Sequence, residues 1–178
     1  MTRGVKQVRD LARFGWLVLV LVVLAGCAHG PADDGAVSEP TLVDGSDPEV
    51  LLKMARALGE AELSTDSHGD PSIIGRVVET RYRILFHGCD GDGGCSSVMF
   101  ATAWAVEGDH TDLVMNWNQG KRFGRASLDS DLDPVLEMDV NLEHGVTVDN
   151  MRKNFEIWKM LVTAFRLELM MSGVGGAV

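Results

Sequence analysis

The stretch from Thr80 to Trp104 constrains the fold most. Tyr82, Ile84 and Phe86 share one side of a period-two pattern, and Arg81 and Arg83 share the other. After Asp90-Gly91-Asp92-Gly93-Gly94, Val98, Phe100, Thr102 and Trp104 alternate with Met99, Ala101 and Ala103. Successive side chains of a strand point to opposite faces, so both runs are expected to be half-buried strands. A glycine-rich turn between them makes the pair antiparallel. Cys89 and Cys95 flank that turn near cross-strand positions, where the Cα separation suits a disulfide.

The rest of the chain supplies more strands and three helices. Asp47-Pro48-Glu49 opens the first helix, with Asp47 as N-cap and Pro48 at the first helical position. Val50, Leu51, Met54, Ala57 and Leu58 fall on one face, and Gly59 is expected to stop it. Residues 61–65 and 73–78 read as strands around a turn at Ser67-His68-Gly69-Asp70-Pro71. Residues 111–119 form a short helix presenting Leu113, Val114 and Trp117 inward. Residues 122–128 and 135–142 form a second hairpin around Asp129–Pro134. A long last helix, capped by Thr147, repeats Met151, Phe155, Trp158, Val162, Phe165 and Leu169 at three- or four-residue spacing. This order predicts an α+β domain, an antiparallel sheet with the N- and C-terminal helices packed on one face.

The first residues belong to targeting and not to the fold. Arg3, Lys6, Arg9 and Arg13 precede the apolar run Trp16–Leu24, and Ala25-Gly26-Cys27 closes it. A basic start, a short apolar core and small residues form the layout of a secretory signal. The run is about half the roughly 20 residues that a membrane-spanning helix needs. Leu24-Ala25-Gly26-Cys27 resembles the lipobox of bacterial lipoproteins, which implies lipid on Cys27. Two or more acyl chains, palmitate among them, would anchor the protein stably. Residues 28–46, poor in apolar groups and rich in breakers, read as a flexible tether with a reach of about 25 Å. The expected organisation is therefore signal peptide 1–26, tether 27–46, domain 47–172 and a disordered tail 173–178. No aspartate follows Cys27, which by resemblance to enterobacterial sorting favours the outer membrane facing the periplasm.

Removing residues 1–26 takes away four of the 16 basic and one of the 26 acidic residues, leaving a net charge of −13. That balance opposes nucleic acid and anionic membrane surfaces over long range. No basic stripe with interleaved aromatics reverses it.

A family resemblance rests on Trp117-Asn118, Lys121-Arg122-Phe123-Gly124-Arg125-Ala126 and Asp133-Pro134-Val135-Leu136-Glu137-Met138-Asp139. Ile74-Gly75-Arg76, Tyr82 and the pair Cys89 and Cys95 add to it. Over roughly residues 48–168 the chain resembles the YbjN-domain family, labelled bacterial sensory transduction regulators. The resemblance implies a fold similar to type III secretion chaperones, which are non-catalytic holders of partner polypeptides. Ser127 stands where the family commonly has an aromatic, and Leu132 where it commonly has glycine. The lipid signal sets this chain apart from the soluble members.

Each candidate site has a plain alternative. Cys89 and Cys95 form a disulfide in an exported protein, where such bonds persist. The competing reading is a metal or redox site with His87, for which no fourth ligand stands out. Asp129-x-Asp131-x-Asp133 invites calcium, but Pro134 and Val140 occupy the positions where an EF-hand needs glycine and glutamate. Glu137 and Asp139 lie on one strand face roughly 7 Å apart, a spacing open to glycosidase chemistry. Arg81, Arg83, Lys121, Arg122 and Arg125 make the notable basic cluster. They either pair with surrounding acids or dock an acidic peptide segment. No G-x-S-x-G or H-E-x-x-H motif occurs. The expected function is a lipid-tethered protein-binding or chaperone-like regulatory module of the envelope, not an enzyme and without cofactor or metal. Its partner is an envelope protein or peptide, with no nucleic acid. The alternative is an envelope hydrolase acting through Glu137 and Asp139.

Overall fold

A computed structural model of the chain describes residues 41–91 and 94–174. The expectations for the signal segment, for Cys27, for residues 28–40 and for residues 175–178 lie outside that range.

The elements run β1 (Leu42–Val43), α1 (Pro48–Arg56), β2 (Ala61–Thr65), β3 (Pro71–Val77), β4 (Thr80–Cys89) and β5 (Cys95–Ala103). They continue with α2 (Thr111–Gly120), β6 (Arg125–Leu128), β7 (Pro134–Asn141), β8 (Val146–Thr147) and α3 (Val148–Val174). Six strands form one sheet in the order β2-β3-β4-β5-β7-β6, every neighbouring pair antiparallel. β1 and β8 make a separate two-stranded ribbon. The domain is thus α+β, with an antiparallel sheet and its terminal helices α1 and α3 against one face.

Asp47 caps α1 by accepting the Glu49 N–H at 3.0 Å, and Pro48 takes the position whose missing N–H costs nothing. Leu51, Leu52 and Ala55 are its buried residues, while Val50, Met54 and Leu58 pack at the margin of the core. The helix ends at Arg56, before Gly59; a Cβ at Gly59 would sit 2.3 Å from the Arg76 carbonyl oxygen. Thr147 accepts the Asn150 N–H at the start of α3. Met151, Phe155, Trp158, Val162, Phe165 and Leu169 then face the sheet, all buried. Burying each of these contributes roughly 1.5–3 kcal/mol. Phe100 sits between Phe155 and Trp158, and Phe165 lies between Trp104 and Trp117.

Several boundaries differ from the sequence reading. Residues 41–46 belong to the folded unit and not to the tether: Leu42 and Val43 pair with Thr147 and Val146, and Val43 is buried. A two-residue strand whose partner lies a hundred residues away leaves no periodic signal. Trp104 falls just past β5, where its N–H bonds the Pro134 carbonyl, although its ring still stacks on Phe165. β6 starts at Arg125 and not at 122, because Phe123 takes the left-handed conformation (φ 73°) and turns the chain. α3 runs on to Val174, beyond the expected boundary at 172.

Candidate functional site: the open face of the sheet

Helices α1 and α3 cover the face that carries Ile73, Tyr82, Ile84, Phe86, Phe100 and Met138. The opposite face has no layer over it among the described residues. Its centre follows from register. One row crosses Ile74, Arg83, Ala101, Glu137 and Arg125, on β3, β4, β5, β7 and β6. The next crosses Ser72, Leu85, Met99 and Asp139. On the other side Arg76 pairs with Arg81, and Ala103 and Ser127 flank Val135. A shallow depression of about 410 Å³ opens here, lined by Arg81, Arg83, Leu85, Ala101, Ala103 and Val135 among others. Sequence reasoning named the arginines but missed this apolar floor. The signal was present: Leu85 and Met99 occupy outward positions where a solvated strand face would carry polar groups.

The structure splits the basic cluster. Arg81 and Arg83 stand exposed on β4, and among the described residues no carboxylate lies within 4.0 Å of either. Arg125 is three strands away and is held by Glu137 at 2.5 Å. That hydrogen bond and the Glu137 charge raise the Arg125 pKa above its ordinary value, and Asp139 adds to the effect. Lys121 reaches Glu168 of α3 at 2.9 Å, on the helix side of the fold, and Arg122 lies over the Phe123 ring. Ion pairing therefore describes Lys121 and Arg125, while Arg122 rests on its neighbour's ring. Arg81 and Arg83 are the members of the cluster on the open face with no carboxylate partner among the described residues. Arg152 pairs with Asp149, and Arg166 with Glu79. An apolar groove of about 540 Å³ between α1 and α3 is bordered by Met54, Leu58, Val148 and Phe155.

The carboxylates Glu137 and Asp139 do project from the open face, but Glu137 serves as the acceptor for Arg125. Two aspartates of the Asp129–Asp133 turn are also occupied, Asp133 by the Val106 N–H at 3.2 Å. Asp129 accepts the N–H groups of Asp131 and Asp133 at 2.9 Å each, and Asp90 does the same for Gly94 at 3.1 Å. No group of three or more potential metal ligands occurs among the described residues. Cys89 and Cys95 are cross-strand partners joined by a disulfide, with His87 exposed one turn of the pleat away.

The motif residues prove to be structural. The Trp117 indole N–H donates to the Gly124 carbonyl at 3.1 Å in the core. The Asn118 amide clasps Ala126, donating to its carbonyl and accepting from its N–H, both at 2.9 Å. A Cβ at Gly75 would lie 2.5 Å from the Tyr82 ring, so that glycine is the seat of the tyrosine.

Among solved structures, the chain is similar to the Yersinia pestis type III secretion chaperone SycH, determined in complex with a stable fragment of YscM2. The identity is 13%, over 67% of this chain and 96% of that one, with a TM-score of 0.45. A search of curated proteins finds no match. The family described as "Putative bacterial sensory transduction regulator" matches residues 47–170, and this chain belongs to it, the YbjN family.

Proposed function

We propose that this protein is a regulatory module of the cell envelope that acts by docking an acidic stretch of polypeptide on the open face of its sheet. One observation carries the reading. Two arginines with no described carboxylate partner stand beside an apolar floor, on the face the helices leave bare. Arginine donates in a planar fork that matches carboxylates, and a partner lying across Leu85, Met99 and Val135 would shield those contacts from water. The family's description as a regulator agrees with binding in place of chemistry. The signal pattern ending at Cys27 supports the envelope as the place of action and lipid as the anchor.

The test is a photo-crosslinking amino acid placed at Met99 in the full chain, in living cells. It should capture a polypeptide, and Arg81→Glu with Arg83→Glu should abolish the adduct. Stability should stay within about 1 kcal/mol, since both side chains are exposed. The same probe at Lys159, on α3, should capture nothing. Capture from Lys159 and none from Met99 would move the binding surface to the helices and overturn the proposal.

A further inference from the structure

The open face is asymmetric in charge, and the asymmetry is ordered by strand. The β4 side carries Arg81 and Arg83. The β7 side carries Glu137 and Asp139. Between them β5 presents Met99, Ala101 and Ala103. Arg83, Ala101 and Glu137 stand in one row, so the basic and acidic positions lie at equal distances on either side of β5. Among the described residues Asp139 takes part in no ion pair, as Arg83 does not.

We infer that this face is a two-fold interface between two copies of the chain. The inference rests on the docking role proposed above and names the polypeptide that docks. A two-fold axis running along β5, midway between two facing sheets, exchanges β4 with β7. It sets Arg83 of each copy opposite Glu137 of the other, with Asp139 one rung further along the same strand, and Ala101 opposite itself. An axis across the strands would instead lay β4 on β4 and bring arginine against arginine, so charge selects the first arrangement. Self-complementary patches of this kind are what a two-fold dimer requires. At the axis, Ala101 and Ala103 are small enough for the sheets to close to about 10 Å, the usual spacing of packed sheets. Leu85, Met99 and Val135 fill the space beside them. Five strands at about 4.8 Å by seven residues at about 3.3 Å give a plan area of about 550 Å². That is the scale of an interface burying about 800 Å² of accessible surface per partner.

The axis makes a sharp demand: position 101 must meet itself. In the full chain carrying Ala101→Cys, mild oxidation should give a covalent dimer that reductant reverses, with the bond mapped to position 101 on both copies. Glu62→Cys, on the edge strand beyond the overlap, should stay monomeric. Adding Arg83→Asp to Ala101→Cys should cut the dimer yield at least about tenfold, the factor that corresponds to one charged pair of about 1.4 kcal/mol. Adding Asp139→Arg to that double variant should restore it by exchanging the signs across the interface. A thiol at position 101 that labels freely yet never links two copies would overturn the dimer. With that result, a Met99 adduct of foreign mass would leave the docking role standing, and no adduct at all would remove both.

Discussion

Tyr82 shows how much one side chain does here. It is the chain's one tyrosine, it rests on Gly75, and its ring meets Trp158 edge-on at 6.0 Å. Its hydroxyl is buried without a hydrogen-bond partner, and burial pushes its pKa up from 10.0 to about 12. The unfolded chain ionises this phenol near 10 while the folded one keeps the proton until about 12. The stabilisation is therefore complete below pH 10 and is lost as pH rises through 12. Thermal melts of Tyr82→Phe should show a smaller loss of stability across that window than the native chain. At neutral pH the substitution should be neutral or stabilising by up to about 1 kcal/mol, because it removes an unsatisfied buried hydroxyl. Leu132 is a second residue-scale case. It adopts φ 66°, the conformation that glycine takes without cost.

At the scale of elements, the weak points of a sheet are its edges. β6 has only four residues and borders no further strand. The Asn118 side chain, from α2, meets its open backbone groups as another strand would. Asn118→Ala should therefore lower stability by roughly 1–2 kcal/mol, the worth of two ordinary hydrogen bonds, in a denaturant titration. Hydrogen exchange should rise at the Ala126 amide while amides in β4 and β5 keep their protection. These elements were legible in the chain itself to different degrees. The hairpin from Thr80 to Ala103 and the buried face of α3 appear in the spacing of apolar residues. β1 and the start of β6 do not, since two residues carry no period and a left-handed phenylalanine carries no turn signature.

For the whole molecule, charge and address matter most. An acidic chain that presents Arg81 and Arg83, unpaired among the described residues, on one bare face should bind with an on-rate that falls as salt rises. Among the described residues no helix is long and apolar enough to cross a membrane. The proposed attachment at Cys27 rests on the signal pattern that precedes it. Mass spectrometry of protein taken from envelopes should find an N-terminal cysteine at position 27 bearing acyl chains. An intact chain still beginning at Met1 would overturn the anchor.

What the sequence determined by itself is local: strand faces from period-two alternation, helix faces from three- and four-residue spacing, and caps at Asp47 and Thr147. Each is written within a few neighbouring residues, where backbone geometry acts directly. The tertiary structure alone decided what depends on distant partners. It placed β7 between β5 and β6, paired Leu42 with Thr147, and tied Asn118 to Ala126. It also divided five basic residues, adjacent in the reading of the sequence, between two sides of the fold and left only Arg81 and Arg83 on the open face without a carboxylate partner. Long-range register sets which charges meet, and register is a property of the packed sheet as a whole.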